Sequence, residues 1–317
     1  MNQNNDLQAF RLRSAGAAIA DGYRLYMGNF RRLFRASWPM AIGYAVATCL
    51  FLSIGISLAP TVTIMQLMNV DPTVAIRSLG LLPIYQALAT LLLFLATVGM
   101  SSYAFAAMDE HLSSGAITVP AKWYGRISWR MLWRTLVASV CFLLVFVVLQ
   151  AITIALGWAG SHYLSPTAGI ILFALLQLLV LAAFVPFGYG GMKYMLTPKA
   201  SFFPTLSATY TIGLRHWGAL FVVMLITAII TTMLGYATEL PAVILGMANM
   251  SSQMGTLQGD PAGMPGYMGW MTIVVLSLAG FIQAYIQLTA LFPFYYLFGS
   301  IETEEGEKSA LQLPKEQ

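Results

Sequence analysis

Six long apolar stretches run along the chain, at about 38–59, 81–107, 132–158, 168–194, 217–240 and 270–298. A helix needs roughly 20 mostly apolar residues to cross the hydrocarbon core of a bilayer, and every stretch reaches that length. The pattern predicts six transmembrane helices. The fifth continues past Pro241 with a kink or a short re-entrant piece. Ahead of each pair of stretches the period changes. Ile19, Tyr23, Tyr26, Phe30 and Leu33 recur at helical spacing, with Arg24, Arg31 and Arg35 on the opposite face. Pro120 suits a first helical position, and Lys122, Arg126, Arg130 and Arg134 then recur every fourth residue beside Trp123, Ile127 and Met131. Pro204 opens a third such segment, with Leu206, Tyr210, Leu214 and Trp217 as its apolar face. The predicted fold is all-α: a polytopic membrane protein of six transmembrane helices in three hairpins, each preceded by a cytoplasmic interfacial amphipathic helix.

The boundaries repeat. Arg35-Ala36-Ser37-Trp38, Arg130-Met131-Leu132-Trp133 and the shorter Arg215-His216-Trp217 each lead into a span. The second helices of the later two hairpins end alike, as Pro186-Phe187-Gly188-Tyr189 and Pro293-Phe294-Tyr295-Tyr296, where the first has Gly99-Met100-Ser101-Ser102-Tyr103. Three parallel repeats, 14–107, 116–194 and 199–298, account for this and match a symmetry found among transporters. They form one membrane domain, 14–298. A disordered N-terminus, 1–13, is expected before it. An acidic disordered cytoplasmic tail, 299–317, is expected after it, because that segment has few apolar residues.

Composition removes the soluble alternatives. The chain is 58% hydrophobic and 9% charged, against about 25% charged in soluble domains. Its net charge of +4 is therefore no sign of nucleic acid; the distribution carries the information. Of sixteen Lys and Arg residues, only Arg77 falls on the side of the membrane opposite the termini. The positive-inside rule places both termini in the cytoplasm, which an even number of spans also requires. A cleaved signal peptide ending near Ala59 is rejected, because the apolar run is too long and its leader far too long. Cys49 and Cys141 lie within apolar runs and read as small hydrophobes.

The six-span, three-hairpin layout resembles bacterial membrane proteins such as the membrane domain that accompanies some glycerophosphodiester phosphodiesterases. The resemblance is one of pattern over nearly the whole chain; it shares no diagnostic motif, and no phosphodiesterase domain follows in this sequence. It implies a bacterial cytoplasmic-membrane location. Mitochondrial carriers also have three repeats, but their Pro-x-Asp/Glu-x-x-Lys/Arg signature is absent.

Candidate chemistry is sparse. His111 and His216 are expected on the cytoplasmic side and His162 on the other, which excludes a shared histidine cluster. No zinc, phosphate-loop or nucleophile-elbow motif occurs, so no catalysis and no cofactor are expected. Asp109-Glu110-His111 reads as an exposed acidic turn. Glu239, the one acidic residue of the spans, is expected at the outer interface, hydrated or paired with Arg77. Arg24, Arg31, Arg35, Lys122, Arg126, Arg130, Arg134 and Arg215 form candidate sites for anionic lipid headgroups, each cation contributing about 1 kcal/mol of attraction. Gln150, Gln177, Gln283 and Gln287 lie at depth, either as interhelical glue or as a polar path. Ala151, Ala155 and Ala159, and Gly280 with Ala284, offer faces for close helix approach. Met247, Met250 and Met254 lie in a Met-rich outer segment, where thioethers suit Cu(I) but also simply fill space. The expected role is non-catalytic organisation of lipids or protein partners, with membrane lipids as the expected ligands. The alternative is a small-molecule or lipid transporter or channel.

Overall fold

A computed structural model describes residues 9–67, 71, 74, 77, 79–117, 128–163, 165–257, 259 and 265–312. Its helices are α1 (Ala15–Leu67), α2 (Leu82–Ser114), α3 (Trp129–Tyr163), α4 (Pro166–Phe184), α5 (Phe187–Leu196), α6 (Phe202–Arg215), α7 (Trp217–Leu257), α8 (Met268–Thr289) and α9 (Leu291–Gln312). No strand occurs among the described residues. Six helical stretches are long and apolar enough to cross a membrane: Ala15–Leu58, Leu82–Ser114, Trp129–Tyr163, Pro166–Leu196, Trp217–Ser252 and Met268–Lys308. Their outward faces stay apolar. Leu143, Leu144, Val147 and Val148 on α3, and Leu175, Leu178 and Leu179 on α4, are all exposed. Helices satisfy their own backbone groups, which is why such a surface can face lipid. The chain is that of an integral membrane protein.

The chain divides into two compact units that cut across the repeats expected from sequence. The first comprises Met1–Leu33, Ser102–Ala228 and Thr289–Gln317; the second comprises Phe34–Ser101 and Ile229–Leu288. In the second unit, Cys49, Ala242 and Leu276 are buried together, with Leu52, Ile56 and Val275 packed around them. Gly280 lies against Thr48 and Ala45, so close that a Cβ there would come within 2.8 Å of Thr48 Cβ. In the first unit, α3 and α4 pack along their length through a seam of Thr153, Gly157 and Gly160, all buried. Gly160 meets Gly169 of α4. The alanine stripe, expected to offer a face for close helix approach, is not this seam: Ala151 and Ala155 are exposed. Glycines, having no Cβ, bring the two axes closer than alanines would.

Three local expectations are revised. The first amphipathic segment and the first span are one continuous helix, α1, which runs through Pro39 without a break. The third segment is a separate helix, α6, with buried Phe202, Leu206, Thr209 and Gly213. The second expected segment, with Pro120, Lys122, Trp123, Arg126 and Ile127, lies outside the described residues. The expected disordered tail is instead helical to Gln312, within α9. Part of the expected disordered N-terminus is also held: Ala9 is buried against Gly299, and the Arg13 N–H donates to Ser300 Oγ at 2.8 Å.

Candidate functional site

Two of the apolar stretches are interrupted beside a Pro-Phe pair, and both pairs lie in the first unit. The fourth apolar stretch stops at Phe184, turns through Val185 and Pro186, and resumes as α5. The sixth stops at Thr289 and resumes at Leu291 as α9, with Pro293 in its first turn. Proline has no N–H and crowds the carbonyl four residues back, so Ala182 C=O loses its helical partner at Pro186. The structure replaces it. Trp217 Nε1–H donates to Ala182 O at 2.9 Å, and the Tyr210 hydroxyl donates to Ala183 O at 3.3 Å. Trp217, expected on the apolar face of the third segment, thus also caps a broken helix.

Glycine permits close approach at both breaks. A Cβ on Gly213 of α6 would lie 2.8 Å from Pro186 O, and one on Gly22 of α1 would lie 2.5 Å from Pro293 N. The third amphipathic segment, α6, therefore seats on the first break. The first amphipathic segment, the start of α1, seats on the second break, with the Tyr26 ring tilted 5.2 Å from that of Phe292. Gly188, just after the first break, faces the Phe294 ring of the second.

Between these breaks lies a cavity of about 310 Å³. Its wall is Phe105, Phe142, Phe184, Val185, Phe187, Gly188, Gly191, Met192, Met224, Leu291 and Phe294. No polar side chain among the described residues lines it. The phenyl rings hold one another edge to face, Phe142 with Phe187 at 6.0 Å and Phe184 with Phe187 at 5.5 Å. Such pairs fix ring orientation as well as filling volume.

Polar groups gather nearby in the same unit. Glu302 of α9 accepts from the Tyr189 hydroxyl and pairs with Lys193 at 2.8 Å, both residues being on α5. Glu305 lies 3.1 Å from His216 Nε2, 3.7 Å from Arg215 and 3.2 Å from Lys308. The hydrogen bond from His216, aided by Lys308, holds the Glu305 carboxyl below its ordinary range, against the opposing effect of burial. Arg13 pairs with Asp21 at 2.9 Å and lies 4.6 Å over the Tyr296 ring. These contacts explain why the acidic segment is ordered: its carboxylates land on cations far away in sequence.

The candidate headgroup residues separate under this geometry. Arg134 is buried, bonded to Tyr194 O and stacked 4.4 Å over the Tyr194 ring, so it serves packing rather than an accessible anion site. Arg130 is half exposed and pairs with Asp109 at 3.3 Å. Arg24 and Arg215 are largely exposed beside Asp21 and Glu305, each at 3.7 Å. Arg31 and Arg35 are exposed. Lys122 and Arg126 lie outside the described residues. Sequence reading missed Arg32, which donates to Ile117 O at 2.6 Å.

The glutamines also separate. Gln150 and Gln177 bond reciprocally at 3.1 and 2.8 Å, and Gln177 adds a 3.3 Å bond to Thr153. Gln283 and Gln287 belong to the other unit, and there Gln283 Oε1 and Gln287 Nε2 are buried without hydrogen-bond partners. Met247 and Met250 line a cavity of the second unit, described below. Met254 is half-buried on α7. The expected exposed turn at Asp109-Glu110-His111 is helical, and His111 is buried with Nδ1 2.9 Å from the Tyr295 hydroxyl. Arg77 and Glu239 form no ion pair with each other.

No family model matches the chain, and no curated protein or solved structure is significantly similar to it.

Proposed function

We propose that this protein is a non-catalytic lipid-binding protein of the bacterial cytoplasmic membrane, with both termini in the cytoplasm. The reading rests on one observation, the purely apolar, aromatic-walled cavity between the two Pro-Phe breaks. Lipid tails are as apolar as its wall, so a chain entering from the bilayer gains no hydrophobic transfer energy. Selectivity must come from shape and from the headgroup. Arg130 supplies a half-exposed cation twelve residues before Phe142 on α3, about 18 Å along the helix at 1.5 Å per residue. An anionic lipid whose headgroup meets Arg130 reaches the cavity with its acyl chain.

Native mass spectrometry tests this with phosphatidylglycerol and phosphatidylcholine of identical chains. Phosphatidylglycerol should be retained preferentially, and Arg130→Gln should remove the preference. Gly191→Leu, which extends a side chain into the cavity, should lower retention of both lipids. Equal retention by the wild type, or no response to either variant, overturns the reading.

The alternative, a transporter or channel, draws support from the unpartnered Gln283 and Gln287 in the second unit. It predicts that cysteines placed at these two positions react with a membrane-impermeant thiol reagent. Protection of both would sink it.

A further inference from the structure

The second unit contains its own cavity, of about 370 Å³, within the usual range for small-molecule sites. Phe51, Leu52, Ile56 and Val243 give it apolar walls, and Met247 and Met250 add thioethers one helical turn apart. Gly55 and Gly246 leave the space open where side chains would enter it. Among the described residues one polar side chain lines it, Gln86, and its Oε1 is buried with no hydrogen-bond partner among them.

We propose that this cavity binds a membrane-soluble amphiphile carrying a single hydroxyl group, anchored by the Gln86 side-chain amide. A buried amide oxygen without a partner is costly, and a ligand hydroxyl relieves that cost by donating to it. Rotation about the last side-chain torsion exchanges the amide oxygen and nitrogen, and a hydroxyl suits either because it both donates and accepts. A charged head has no ionic partner in this wall, and a second polar group would itself be left unpaired. A pure hydrocarbon fills the space but leaves Gln86 as it is. Flexible, polarizable methionines adapt the wall to straight or branched bodies, so the amide selects the head while the tail is read loosely. This site is independent of the lipid cavity in the first unit.

The experiment uses the full chain in phosphatidylcholine nanodiscs and a diazirine-bearing analogue of 1-dodecanol as photoprobe. Labelled peptides should map to the segments containing Phe51–Ile56 and Val243–Met250. Unlabelled 1-dodecanol should protect at about fivefold lower concentration than n-dodecane, the effect of one net hydrogen bond. Gln86→Leu should erase that difference while leaving labelling by a diazirine alkane unchanged. Gly246→Leu should abolish labelling; if that variant does not fold, Gly246→Ala, whose methyl meets Ile56 at an ordinary 3.6 Å, should reduce it. Equal protection by alcohol and alkane, an alcohol preference that survives in Gln86→Leu, or labelling confined to the first unit's phenylalanines overturns the proposal.

Discussion

Two pairs of half-buried glutamines, chemically identical, meet opposite fates. In the first unit, Gln150 and Gln177 face each other across α3 and α4 and exchange two hydrogen bonds. In the second, Gln283 and Gln287 lie one turn apart on α8 with amide atoms left over. An amide whose donors and acceptors are matched by another amide is closed to ligands and acts as an adhesive. An amide left open in an apolar setting costs stability and is retained only where something else uses it. The difference is one of partner geometry, and the same contrast extends to the helix breaks. At Pro186, Trp217 and Tyr210 donate to the carbonyls of Ala182 and Ala183, so the interrupted backbone there finds side-chain partners.

The comparison can be tested in four places. The largest effect is expected at Trp217→Phe, which keeps the ring packing but leaves Ala182 C=O without its donor. About 1–3 kcal/mol of stability should be lost, measured by unfolding in mixed micelles. A loss below about 0.5 kcal/mol would show that the break needs no cap. Next is the closed glutamine pair. Gln150→Leu alone should cost roughly 1 kcal/mol, within the range seen for interhelical hydrogen bonds in membranes. The double change Gln150→Leu with Gln177→Leu should cost less than the two single changes added together, because it strands neither partner. Strict additivity would mean the pair is not a unit.

A third test concerns the contacts of Glu305. Its carboxyl is held below the ordinary range in the folded protein, so its contribution is present above the unfolded value and lost as pH falls through the depressed one. Acidification should therefore loosen the end of α9, read as faster proteolysis beyond residue 298. Glu305→Gln should be loose at neutral pH and lose most of that pH dependence. A pH response that persists unchanged in the variant would assign it to another group. The smallest effect is expected at Gln283→Leu. Removing an amide with an unpaired buried oxygen should not destabilise the protein, and a gain of up to about 0.5 kcal/mol is expected. A large loss there would reveal a partner and erase the distinction between the two pairs.

Sequence pattern was enough to find the six apolar helices, because length and composition are local properties. It could not separate prolines that interrupt a helix from those that do not. Pro39 and Pro241 lie inside continuous helices, whereas Pro186 and Pro293 sit beside breaks. The distinguishing partners of Pro186, Trp217 and Gly213, lie some thirty residues away. Composition also failed for the acidic segment, since Glu302 and Glu305 find their cations on α5 and at the end of α6. Arg134 belongs by spacing to an exposed cationic stripe, yet it is buried against Tyr194, a contact invisible to periodicity. The repeated Pro-Phe pairs were legible as a repeat. That they enclose a cavity follows only from how Gly188 meets Phe294.

The first unit draws on three separate stretches of chain, and the last begins at Thr289. Synthesis runs from the N-terminus, so the ribosome delivers the Pro186 turn before the tryptophan that caps it, and delivers Glu302 last of all. The early hairpin must wait in the bilayer, incomplete, until that last stretch has been made. A chain stopped at Phe298 would carry the apolar run of all six stretches described above and still lack the carboxylates that fasten α9 to α5 and α6. Quality control in the membrane would meet such a product as a fully inserted but unfastened protein.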